Sequence, residues 1–234
     1  MKKQILLITL LIASVFSLFA GINSDEGDLL ISAFKETPPA DANTTIKITG
    51  YNGDTTYKIN KSFDINDKVK NDAVSIDKAF TITITTNQAD DISISLNFSH
   101  FVNQVDTTKT IPATYTFSHE NYEEVTTSKK DNYYYKYTPV IAIDDQDITN
   151  GDSKSITTGK TVSFVQKINQ QRKSSSSGTY SNYTNTKTGT LIAISNKTVT
   201  STSYFKLDLT AANYNAMVAN QEYVSTVKLT ITKA

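Results

Sequence analysis

Phe80-Thr81-Ile82-Thr83-Ile84-Thr85 is followed, across Asn87-Gln88-Ala89-Asp90-Asp91, by Ile92-Ser93-Ile94-Ser95-Leu96-Asn97-Phe98. Successive side chains of an extended strand point to opposite faces, so Phe80, Ile82 and Ile84 share one face and the threonines the other. Ile92, Ile94, Leu96 and Phe98 repeat the pattern with Ser and Asn as their counterparts. Such alternation predicts strands with one face in a core and one in water. The connecting polar run reads as a turn, which makes the pair a hairpin.

The same reading extends in both directions. Leu29 to Phe34 is a compact apolar stretch ended by Thr37-Pro38-Pro39, and Thr45 to Thr49 alternates before Asn52-Gly53 and Thr55 to Ile59, a second expected hairpin. Further strands are expected at Ala113 to Phe117, Tyr133 to Ile143, Thr161 to Ile168, Thr190 to Ile194, Tyr204 to Leu209 and Tyr223 to Ile231. This makes about ten strands and no periodic helix of ordinary length, the pattern of an all-β sandwich. Asn169 to Lys187, with Ser174 to Ser177 in a row, reads as a loop or long hairpin tip, and Thr210 to Asn220 is the one place for a helical turn.

Composition agrees with this fold. The 234 residues include 13 Tyr and 10 Phe but no Cys and no Trp, with 8 Gly and 4 Pro. β-Branched and aromatic residues suit a half-buried pleated surface. Without cysteine, the fold rests on burial and strand pairing rather than on disulfide staples.

Lys2 and Lys3 precede an apolar run from Ile5 to Phe19, and Ala20-Gly21 supplies small residues, the layout of a secretory signal peptide over residues 1–20. An uncleaved anchor is the competing reading, although the run is short for a bilayer span of about 20 apolar residues. Cleavage after Ala20 removes two of the 23 basic residues and none of the 23 acidic ones, leaving a net charge of −2. Bulk attraction to nucleic acid is therefore not expected. An acidic segment, 21–28, then leads into one β-sandwich domain over 29–234, exported to the periplasm, the cell surface or the medium.

Chemistry-bearing residues are sparse. His100 and His119 each follow a serine near an expected strand end, without His-Glu-x-x-His or Gly-x-Ser-x-Gly around them, and are read as turn or surface residues. Asp144, Asp145 and Asp147, with Asn150-Gly151-Asp152 after them, offer oxygen ligands of the kind Ca²⁺ takes. The run lacks the EF-hand glycine, replaced by Asn150, and the closing glutamate, replaced by Ile156. It reads instead as a turn, a short strand at Ile148-Thr149 and an Asn-Gly hairpin turn, so no metal or cofactor is expected. Glu123-Glu124 sits in a polar, loop-like stretch rather than in a recognisable catalytic pair. Tyr133, Tyr135 and Tyr137 fall on one strand face, opposite Tyr134 and Lys136, and form either a sugar-binding surface or core packing.

Tyr223 to Thr232 resembles the closing strand of bacterial fimbrial subunits and related secreted coat proteins, and Thr86 to Leu96 resembles a central hairpin of such subunits. Gln221 stands where that closing strand commonly has glycine. The resemblance implies an immunoglobulin-like antiparallel sandwich with long loops, acting without catalysis as a surface subunit or adhesin. It also implies self-assembly or other surface subunits as partners, and a host or glycan ligand. Leu29 to Phe34 is then a candidate donor strand, or the first strand of its own domain. The alternative function is a secreted carbohydrate-binding module using Tyr133, Tyr135 and Tyr137.

Overall fold

The computed structural model describes residues 29–35, 44–50, 58–63, 69–70, 73–122, 124–127, 129–149, 151–183, 198–218 and 221–233. The expected signal peptide, the acidic segment 21–28, the Asn52-Gly53 turn and the strand at Thr190 to Ile194 lie outside them.

The chain enters with β1 (Leu29–Lys35), β2 (Thr44–Gly50), β3 (Lys58–Phe63), β4 (Val69–Lys70), β5 (Ala73–Thr86) and β6 (Ile92–Phe98). Short strands follow at β7 (Phe101–Asn103) and β8 (Thr110–Ile111), then β9 (Thr114–Tyr122), β10 (Val125–Thr126), β11 (Tyr134–Ile143), β12 (Gln146–Ile148) and β13 (Ser153–Thr157). The last part holds β14 (Lys160–Lys173), β15 (Ser181–Asn182), β16 (Val199–Leu209), a five-residue helix α1 (Ala211–Asn215) and β17 (Tyr223–Lys233). Helix α1 fulfils the expected helical turn: Thr210 caps it, its hydroxyl accepting from the Asn213 amide at 3.3 Å.

These strands form two packed sheets, so the all-β sandwich stands. The first runs β10-β11-β14-β6-β17-β1-β3, with β7, β8, β12 and β15 paired beside it; the second runs β13-β9-β16-β5-β2, with β4 on β5. Phe80, Tyr115, Phe117 and Phe205 of the second sheet meet Phe98 and Phe164 of the first. Phe98 lies 5.0 Å from Tyr115 and 6.0 Å from Phe205, and Phe117 meets Phe164 edge-on at 5.8 Å. Burying each such side chain contributes about 1.5–3 kcal/mol. On the outer face of the second sheet, Thr83 and Thr202, and Thr85 and Thr200, pair across strands at 3.1 Å.

Three expectations of connectivity are corrected. Alternation places Phe80, Ile82 and Ile84 inward, and Ile92, Ile94, Leu96 and Phe98 as well, but from opposite sheets. The segment between β5 and β6 is an arch, not a hairpin, because each strand gains more by facing the other across the core than by pairing edge to edge. Likewise β2 pairs with β5 and β3 with β1, so they form no hairpin. The chain also changes sheets between β12 and β13, so Gly151, at φ 91°, belongs to a crossover connection and not to a hairpin turn.

Two further features were not anticipated. β5 begins seven residues before Phe80 and carries a bulge. Phe205 pairs with Phe80 and Leu207 with Ile76, and Lys78 takes φ 55° to absorb the extra residues. The bulge breaks the two-residue phase, so Ala79 and Phe80 are both buried. The other feature is β1, which runs parallel to β17 from Leu29↔Tyr223 to Lys35↔Leu229 and antiparallel to β3. Every other strand pairing among the described residues is antiparallel.

Candidate functional site

The inward phase of three long strands changes chemistry at the same level. Along β14 it reads Val162, Phe164, Gln166, Ile168; along β16, from the other end, Leu209, Leu207, Phe205, Ser203, Ser201, Val199; along β9, Tyr115, Phe117, His119. One apolar cluster contains Phe164, Phe205 and Phe117, and a separate one contains Val125, Tyr135, Tyr137, Ile168 and Val199. Gln166, Ser201, Ser203 and His119 form a buried polar layer between them. The Ser201 hydroxyl donates to Gln166 Oε1. His119 Nδ1 and Nε2, Ser203 Oγ and Gln166 Nε2 have no hydrogen-bond partner.

His119 is therefore a core residue, which corrects its reading as a surface or turn histidine: continuing the phase of Tyr115 and Phe117 by two residues carries it inward. Its register partner is Ser203 and its ring stacks on Tyr122 at 5.7 Å. Burial holds its pKa below the ordinary 6.5. His100 is half-buried at the break between β6 and β7, which follow one another along β17 in the same direction, so it lies neither at a chain reversal nor fully at the surface. Its Nδ1 sits 2.9 Å from Thr158 Oγ1, which also accepts from the Ala113 amide at 2.9 Å. The adjacent Gly159 has φ 83°, and a side chain there would meet the His100 ring at 2.6 Å. Neither histidine contacts its neighbouring serine as a triad requires: His119 has no partner and His100 bonds to Thr158.

The aspartates occupy a hairpin. Asp144 and Asp145, at φ 48° and 63°, make the two-residue turn between β11 and β12, whose positive φ values suit the twist of the flanking strands. Asp144 Oδ1 accepts from the Ser163 amide at 2.8 Å, and Asp147 pairs with Lys167 at 3.1 Å. No group of three or more metal-ligating side chains occurs among the described residues.

The tyrosine strand divides by face. Tyr135 and Tyr137 keep 3% and 0% exposure in the second apolar cluster, against which half-buried Tyr133 and Tyr183 pack. The expected sugar-binding face of Tyr133, Tyr135 and Tyr137 is thus the inward face of β11, and only Tyr133 reaches the sandwich end. Burial pushes the Tyr135 hydroxyl up, Tyr183 and Asp131 add to it, and Arg172 opposes it.

Around that end lies a set within the stretch expected to be a loop or long hairpin tip; the β14–β15 pairing makes it a hairpin tip. Arg172, the single arginine of the chain, places its guanidinium carbon 4.3 Å from the Tyr133 ring centroid and 4.4 Å from that of Tyr183. Lys173 Nζ lies 4.7 Å from the Tyr180 ring centre and 5.9 Å from that of Tyr134. Lys136 is paired with Glu124 at 2.8 Å. Two turns build the tip: Lys130↔Tyr133, closed through Asp131 and Asn132 at positive φ, and the Ser174 to Gly178 loop before β15 pairs with Gln171 and Arg172. No family model, curated protein or solved structure matches the chain.

Proposed function

We propose that the chain is a non-catalytic structural or adhesive subunit of a bacterial surface, exported and fimbria-like in the immunoglobulin-like sense of its sequence resemblance. The observation that carries this reading is the position of β1. This strand is inserted between β17 and β3, with a full register on both sides and the one parallel pairing among the described residues. Its removal leaves the backbone groups of β17 and β3 unpaired along seven and six residues, a template that an identical strand from a second copy fits. Exchange of an identical element is a low-cost route to assembly.

The chain lacks cysteine, so a disulfide reports the donor directly. Ser32 and Thr226 are register partners in β1 and β17. In the double variant Ser32→Cys, Thr226→Cys, starting at Gly21 and oxidised at high protein concentration, exchange yields a covalent ladder of chains on a non-reducing gel. Closed monomers only, together with a concentration-independent mass in light scattering, would refute the assembly reading.

A further inference from the structure

We propose that Lys154 closes the β13 edge of the second sheet against pairing with the same edge of a second copy of the chain. This edge belongs to the sheet that β1 does not join, so its closure holds whether or not β1 exchanges.

The core face of the second sheet can be followed strand by strand. At one level the register partners are Phe80, Phe205, Phe117 and Lys154, running from β5 through β16 and β9 to β13. The next row reads Ile76, Leu207, Tyr115 and Ile156. Residues directly opposite one another on neighbouring strands share a face. Lys154 therefore ends a row of buried phenylalanines, whereas Ile156 ends a row that is apolar throughout. Among the described residues β13 pairs with β9 alone and ends its sheet. An open strand edge is a template for another strand, and a charge on its inward face is one device that prevents such pairing.

Lys154 spans the open side of the sandwich. Its Nζ donates to the carbonyl of Ile143, the last residue of β11, at 2.7 Å and lies 3.9 Å from Asp144 Oδ2. An ammonium has three donors, and with 24% of the side chain exposed, water reaches it from that side. A second strand laid along β13 would cover the opening. The five residues Ser153–Thr157 pair completely when two β13 strands meet antiparallel about Ser155, the two-fold arrangement of a closed dimer. That register sets Lys154 opposite Ile156 of the second copy and makes the two lysines diagonal neighbours. Each ammonium would then lose water beside an apolar side chain and a like charge. The Asp144 carboxylate, half exposed and at the limit of ion-pair distance, offsets little of that cost.

The chain has no cysteine, so Ser155→Cys supplies a single reporter that meets its counterpart in this register. Chains from Gly21 carrying Ser155→Cys alone, or together with Lys154→Met, Lys154→Gln or Lys154→Arg, are oxidised at equal concentration and compared on a non-reducing gel. Thermal melts establish which variants are folded. Covalent dimer stays low with Ser155→Cys alone and with Lys154→Arg, which keeps the inward charge. It rises about tenfold with Lys154→Met, which keeps the length of the side chain and removes the charge. Lys154→Gln falls between them, and where melts exclude one neutral variant the other decides. Equal dimer in all four chains, or as large a rise with Lys154→Arg as with Lys154→Met, overturns the proposal. So does a folded Lys154→Met chain that melts lower and gains no dimer, since Lys154 is then a clasp between the sheets and nothing more. Strand exchange at β1 is read from the Ser32→Cys, Thr226→Cys ladder instead, so failure of either idea is separately visible.

Discussion

Two apolar clusters share one sandwich and differ in how they are made. The larger is packed with phenylalanine and aliphatic side chains: Phe80 stacks on Phe205 at 4.3 Å, Phe117 meets Phe205 at 5.3 Å, and Phe164 and Phe205 have no exposed surface. The smaller is tyrosine-rich, with Tyr135 and Tyr137 parallel at 6.3 Å, and of its three aliphatic members Ile168 and Val125 keep 9% and 8% exposure while Val199 keeps none. A polar layer separates them. The first cluster holds the two sheets together, whereas the second supports a tip whose outward groups are charged and aromatic. The larger and more fully buried cluster is therefore expected to open at a higher free energy than the smaller one.

The strongest way to break this division is Phe205→Ala. It removes a ring touching Phe80, Phe98 and Phe117 at the centre of the larger cluster and costs about 3–5 kcal/mol, because closely packed neighbours cannot collapse into the void. Urea unfolding should show a single transition at much lower midpoint. Ile168→Ala in the smaller cluster costs less, about 2 kcal/mol, since a side chain at the rim leaves a hole that neighbours and water can fill. Hydrogen exchange sharpens the contrast: amides of β14 near Ile168 open at lower free energy than those near Phe164, and the mutation widens that gap. Equal protection along β14 would show one undivided core.

How far this division was legible follows from what alternation encodes. It places Phe80, Ile84, Ile94, Leu96 and Phe98 inward correctly, because a period of two survives any choice of partner. It does not encode which sheet a strand joins, so the arch between β5 and β6 and the separation of β2 from β3 were invisible: a polar turn reads the same in an arch and a hairpin. Strands of two or three residues, such as β8, β10 and β15, carry no period at all. For the tyrosines, sequence grouped Tyr133, Tyr135 and Tyr137 but not the side of β11 on which the second sheet lies. The polar layer did leave a signal, since Gln166, His119 and Ser203 each sit in phase with Phe164, Phe117 and Phe205. Arg172 left a weaker one, as the lone arginine of the chain, two residues before the serine run.

Within the polar layer, Ser203→Ala tests whether the boundary between clusters costs stability. The Ser203 hydroxyl is buried without a partner, and removing it with little change of shape relieves a desolvation penalty. A gain of about 1 kcal/mol is expected, read as a raised melting temperature. A fall would mean that the hydroxyl is satisfied and the layer is a bonded network.

The subtlest probe of the boundary is pH. His119 is held below its ordinary pKa of 6.5 by burial, with Ser203 as its register partner and Tyr122 against its ring, and among the described residues no carboxylate pairs with it. On acidification the unfolded chain takes up the proton first. The unfolded state therefore binds more protons between 6.5 and the lower folded value, and stability must rise with pH across that window. The stability conferred by neutral His119 is fully present above pH 6.5 and is lost as pH falls through the window towards the folded value. His119→Phe retains a ring against Tyr122 and removes the titration. Denaturant midpoints measured from pH 7 down to about 5, above the range where most carboxylates titrate, should decline in wild type and stay flatter in the variant. Parallel curves would place the acid-sensitive group elsewhere, and would make the polar layer a passive spacer between the two clusters rather than the point at which acid separates them.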